Sequence, residues 1–187
     1  MKSLRFVLSV VVLMLLSSAA CPQSDTQKTP SDSQKAFDKL KTLAGSWEGK
    51  VTTVPQQAGM GDGVLTQITM RVTSRGNALV HEMKEAGTPD DPARYDHPVT
   101  MFYLDSDRLL LTHYCDAGNR PRMVARTSPD GKTVEFDFLD VAGNLQFGHM
   151  QHAVFTVIDA NHHTEDWTFL MPGDQPVRAH LDLQRTK

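Results

Sequence analysis

Ser128-Pro129-Asp130-Gly131-Lys132-Thr133-Val134-Glu135-Phe136-Asp137-Phe138 is the stretch whose pattern settles the architecture. Its head is a tight-turn sequence, because proline presets φ and glycine accepts the positive φ that a turn requires. Beyond the turn, apolar residues take every second place. Val134, Phe136 and Phe138 alternate with Thr133, Glu135 and Asp137. A two-residue period is the mark of a β-strand with one face buried. The reading predicts a strand over 132–140 with those three side chains aimed at a core.

The same grammar extends in both directions. In Pro176-Val177-Arg178-Ala179-His180-Leu181-Asp182-Leu183-Gln184-Arg185, Val177, Ala179, Leu181 and Leu183 share the face expected to point inward. Strands are expected near 46–54, 64–73, 78–86, 98–105, 108–115, 122–128, 132–140, 146–158, 162–171 and 176–185. Ser74-Arg75-Gly76-Asn77, Asp105-Ser106-Asp107 and Asp159-Ala160-Asn161 supply further turn sequences. Consecutive strands joined by short links make a meander, and closure removes its exposed edges. The expected fold is all-β: a single antiparallel up-and-down barrel of about ten strands. A short helix should close one end, capped by Ser33 or Asp32, with Phe37, Leu40 and Leu43 on one face and Gly45 at its end.

The first 20 of the 187 residues stand apart. Lys2 and Arg5 precede an apolar run from Phe6 to Leu16, and Ser17, Ser18, Ala19 and Ala20 supply small residues before Cys21. That is the three-part pattern of an export signal, and the run is too short to span a bilayer. The expected division is a signal peptide over 1–20, a polar flexible tether over 21–33, and the barrel over 34–187. Cys21 sits where a bacterial lipoprotein is acylated, although ordinary cleavage after Ala20 suits the same residues. The expected location is the periplasm, or a membrane reached only through that lipid anchor. A formal net charge of −3 and the lack of a Lys/Arg cluster argue against nucleic acid as a partner. With only Cys21 and Cys115, no disulfide framework is expected.

In a meander, odd and even connections lie at opposite ends. Pro55–Gly63, Gly87–His97, Asp116–Pro121, Val141–Asn144 and Pro172–Gln175 read as the longer, glycine- and proline-rich set. One end should therefore be sealed by tight turns while the other carries loops around a mouth. Gly59-Met60-Gly61-Asp62-Gly63 lacks the Lys-Ser/Thr ending of a phosphate loop and reads as a flap at that mouth.

Gly45-Ser46-Trp47 at the head of the first strand, a short helix before it and Arg185 in the last strand resemble the calycin superfamily of lipocalins, fatty-acid-binding proteins and nitrobindin-like barrels. The resemblance implies that Trp47 closes the barrel floor beneath Arg185. It also implies a small ligand inside the barrel, with haem among the candidates.

Eight histidines focus attention on what faces inward. Leu109, Leu111, His113 and Cys115 share parity, as do Leu79, His81 and Met83, and Phe147, His149, Gln151, Ala153 and Phe155. Together with Met101, Arg122, Phe136, Phe138 and Trp167, the residues His81, Met83, His113, Cys115 and His149 form the expected ligand-binding set. Imidazoles and a thiol in an apolar lining give the usual composition of a small-ligand pocket. No cofactor is assigned, although haem, zinc or copper would suit such groups. Asp116, Arg120 and Arg122 are expected at the mouth, either receiving an anion or pairing internally. His162-His163 reads as a solvated turn pair. Glu165 shares the parity of Trp167; if that face is inward, a carboxylate enters the barrel and needs an Arg or His partner. The leading expectation is a binding protein for a small apolar or amphipathic ligand. An interaction module of the envelope with a filled barrel comes next, then a small enzyme using His113 with Cys115 or Asp116.

Overall fold

The structure is a computed structural model that describes residues 29–57, 63–91, 93–128 and 130–187. The signal segment, Cys21, most of the tether and the greater part of the glycine-rich flap lie outside the described residues.

Among the described residues the strands are β1 (Gly45–Val54), β2 (Leu65–Thr73), β3 (Ala78–Glu85), β4 (Val99–Asp105), β5 (Arg108–Tyr114), β6 (Asn119–Thr127), β7 (Thr133–Gly143), β8 (His149–Val157), β9 (His162–Met171) and β10 (Gln175–Arg185). Each pairs antiparallel with its sequence neighbour, and β1 pairs with β10, so the sheet closes into a ten-strand barrel. The closing seam runs Trp47 opposite Arg185 to Val54 opposite Arg178. At this seam Gly49 is obligatory: a Cβ there would overlap the carbonyl oxygen of Asp182. Gly49→Ala is expected to force β1 and β10 apart and cost about 1–3 kcal/mol, as overpacked sites do. A urea midpoint unchanged from the parent chain would contradict this.

The helix α1 (Asp32–Lys41) packs Ala36, Phe37 and Leu40 into the core. Its cap is Ser31, whose Oγ accepts from the backbone N–H of Gln34, rather than Ser33 or Asp32. Ser33 instead donates its hydroxyl to the Asp107 carbonyl in the β4–β5 turn at 2.7 Å, fastening the helix across the barrel end. The tight β2–β3, β4–β5, β6–β7 and β8–β9 turns gather at this same end.

Below the middle of the barrel the interior is solid. Phe102, Phe136 and Phe155 are fully buried, with ring centroids 5.3–6.1 Å apart, and Trp167 joins them 5.4 Å from Phe155. The floor is built on Trp47. Its indole N–H donates to the Leu43 carbonyl, and the Arg185 guanidinium lies 4.0 Å over its ring. Gly45 has φ +141°, and a Cβ there would overlap that guanidinium. The glycine of Gly45-Ser46-Trp47 thus makes room for the arginine.

At the other end the length asymmetry is carried by two connections, 55–64 and 86–98. The β5–β6 link is shorter than expected and the β7–β8 link is displaced to 144–148, because β6 and β7 pair out to Asn119 opposite Gly143.

Candidate functional site

The core is interrupted by one tier of polar groups. β9 runs up from the floor with His163, Glu165 and Trp167 on its inner face, an i, i+2, i+4 series. Glu165 is wholly buried and is met by three N–H donors. His81 on β3 reaches across the barrel to it through Nε2, 3.0 Å from Oε2 and 3.2 Å from Oε1. His163 Nε2 lies 3.0 Å from Oε1, and the Trp167 indole N–H donates to Oε2 at 3.0 Å. Burial opposes ionisation of Glu165. The charge of His81 and the hydrogen bonds from His163 and His81 outweigh it, holding the carboxyl well below the usual carboxylate range. An ionised carboxylate only accepts, so Nε2 of both imidazoles carries a proton. Their Nδ1 atoms are buried without a hydrogen-bond partner among the described residues.

Above this tier, nearer the loop end, His113 on β5 faces Thr100 on β4, with Nδ1 2.8 Å from the Thr100 hydroxyl and its ring 5.6 Å from Trp167. Burial, and secondarily the charge on His81, push His113 from its ordinary 6.5 down to about 4. It is neutral in the fold at pH 7. The unfolded chain takes up its proton near 6.5, so the full stability holds above that value and declines as pH falls to about 4. The loss is about 3 kcal/mol at ~1.4 kcal/mol per unit. Urea titrations at pH 7.5 and 4.5 should show this decline, and His113→Leu should flatten it. An equally steep decline in the variant would count against the assignment.

The expected ligand-binding residues divide. His81, His113, Phe136 and Trp167 meet in the interior, with Met83 packed against the core from the loop end. Phe138 is half-buried against the His149 ring, with centroids 4.9 Å apart. Four placements are corrected. Met101 lies opposite Val80 and Thr112 on the outer face, since Thr100 and Phe102 take the inward positions of β4. Arg122 precedes the inward, fully buried Met123 in β6, so it faces out and makes a two-pronged ion pair with Asp140 of β7. Neither Asp116 nor an inward anion site is its partner. In β8 a register shift between Met150 and His152 breaks the two-residue count, so Met150 packs on the core and His149 turns to Phe138. Cys115 lies just beyond β5 in a rim pocket of about 480 Å³, between Ala93–His97 and Tyr114–Asp116. Burial raises its thiol above the ordinary range.

His163 was expected in solvent and is instead fully buried, edge-on to Trp47 with centroids 4.2 Å apart. His163 and Glu165 are two of the interior polar residues that the expected set omitted, Thr100 being another. The parity of Glu165 with Trp167, and the need of a buried carboxylate for a partner, were the signals that lead to the first two. Among the described residues, three metal-ligand atoms come within 4.8 Å of one another at Glu135, Asp137 and His152. These lie on the outer face, and Arg126 pairs with both carboxylates.

No family model and no curated protein matches the chain. Among solved structures, a protein of unknown function from the DUF3598 family of Nostoc punctiforme PCC 73102 is 10% identical, with a TM-score of 0.42. It aligns over 79% of this chain and 48% of its own, so the present chain spans about half its length. A candidate outer membrane protein from Bacteroides fragilis NCTC 9343 is 10% identical with a TM-score of 0.18, over 79% of this chain and 99% of its own.

Proposed function

We propose that this chain is an exported binding protein of the calycin kind, which admits a small apolar or amphipathic ligand through the loop end of its barrel. The observation that carries this reading is the difference between the two ends. One is sealed by α1, by Trp47 under Arg185 and by tight turns. At the other, the inward positions are small or flexible: Thr53, Thr66, Thr100, Ala179, Met83 and Met150. The same end exposes the side chains of Val54, Leu65, Tyr114, Leu145 and Phe147. Apolar lining with a few convergent polar groups is the usual make-up of a ligand site, and His113 with Thr100 provides those groups here.

The test is titration of the purified barrel with a neutral environment-sensitive fluorophore such as 1-aminoanthracene, together with native mass spectrometry of protein taken directly from cells. One equivalent is expected to bind, with quenching of Trp167, the tryptophan nearest the loop end. A barrel that takes up no apolar reporter at any temperature short of unfolding would end this reading. The location is tested separately. Cys21→Ser is expected to move the protein from the membrane fraction to the soluble periplasm.

A further inference from the structure

The charges that line the barrel, and those missing from it, specify the head group of the ligand. Among the described residues, no lysine or arginine is buried on an inward position; the buried polar side chains are threonine, histidine, asparagine and Glu165. Arg185 has inward parity, but it is consumed at the floor. Its guanidinium donates to the carbonyls of Ala160, Ala44 and Thr42. An anionic head group drawn into the barrel would meet the ionised Glu165, and the one opposite charge the interior offers, on His81, is already paired with that carboxylate. A cationic head group fares no better. Three buried N–H groups already surround the Glu165 carboxylate: His163 on one oxygen, Trp167 on the other, and His81 shared between both. An ammonium could reach it only by displacing one of these enclosed donors. The groups that remain near the loop end are neutral: the His113 imidazole and the Thr100 hydroxyl.

We propose, building on the binding reading above, that the ligand is an uncharged amphiphile whose hydroxyl or amide meets His113 and Thr100, and that carboxylates and ammonium groups of equal chain length are rejected. An imidazole and a hydroxyl each donate or accept according to need, so a protic neutral group is matched without net charge. Burying either ion unpaired carries a penalty that an apolar tail of the same length cannot recover.

The experiment is displacement of the neutral reporter at pH 7.5 by 1-dodecanol, laurate and dodecylammonium. Dodecanol is expected to compete at concentrations at least tenfold lower than either ion. Met83→Arg puts a cation at the loop end and should bring laurate up at least tenfold while leaving dodecanol within threefold. His113→Leu should narrow the advantage of dodecanol, and thermal unfolding of both variants verifies that they fold. Laurate or dodecylammonium competing as well as dodecanol on the parent chain would overturn the assignment. So would a bound reporter that none of the three displaces. Failure of the reporter itself to bind strikes instead at the binding reading.

Discussion

Glu165→Ala is expected to lower the stability of the barrel by about 3–5 kcal/mol, the range seen when one member of a buried charged network is removed. Three donors lose their acceptor at once: Nε2 of His81, Nε2 of His163 and the Trp167 indole. None can turn to water, because His81 and Trp167 are almost wholly enclosed and His163 entirely so. A typical domain has only ~5–15 kcal/mol in hand, so the variant should unfold at much lower urea. Pairing it with a second change separates two explanations. If the loss comes from stranded polar groups, Glu165→Leu combined with His81→Leu should recover much of it, since an apolar replacement of a buried pair is often neutral or better. If the carboxylate fixes the strand arrangement, the double variant should stay as unstable as the single one. A loss below ~1 kcal/mol for Glu165→Ala would mean that water already reaches the tier.

The same group sets an acid limit. Glu165 ionises more readily in the fold than in the unfolded chain, so its contribution is complete above the ordinary carboxylate value. It is lost as pH falls below that toward the depressed folded value. Acid unfolding should therefore proceed in two stages, with His113 acting first and Glu165 afterwards.

The barrel is legible in the sequence because its strands alternate without competition. In β10, and in β7 from Thr133 to Phe138, every second residue is apolar and the others are polar, so one face can be buried in only one way. The interior was less legible where that condition fails. In β4 both parities are apolar, Val99, Met101 and Tyr103 against Phe102 and Leu104, so counting cannot show that Thr100 and Phe102 go in. In β8 an extra residue between Met150 and His152 shifts the count by one and moves His149 off the interior, and in β7 the irregularity falls at Leu139; Arg122 faces out because its neighbour Met123 faces in. Such irregularities depend on pairing with a neighbour, and one strand alone carries no trace of them. His163 went astray for another reason. Adjacent histidines beside a turn suggest solvent, yet counting back from Trp167 through Glu165 arrives at His163 on the inner face. Parity there was better evidence than proximity to a turn.

Trp47→Ala is expected to cost about 3–5 kcal/mol, as large aromatic truncations in closed cores do. The ring is completely buried, and three separate attachments end with it. The indole N–H leaves the Leu43 carbonyl at the end of the helix region, the Arg185 guanidinium loses the face it lies over, and His163 loses the ring it meets edge-on. Arg185 spreads the damage, because it also holds Thr42, Ala44 and Ala160, and so joins α1 to the β8–β9 turn. Trp47→Phe separates these effects. It keeps most of the packing and gives up the hydrogen bond, for which ~1 kcal/mol is expected. A double-mutant cycle of Trp47→Phe with Arg185→Leu should return a coupling of ~0.5–2 kcal/mol, the range for a cation over an indole shielded from water. A coupling near zero, with both single variants destabilised, would show that ring and guanidinium support the floor independently. The closed end would then owe its rigidity to the helix and the carbonyl bonds alone.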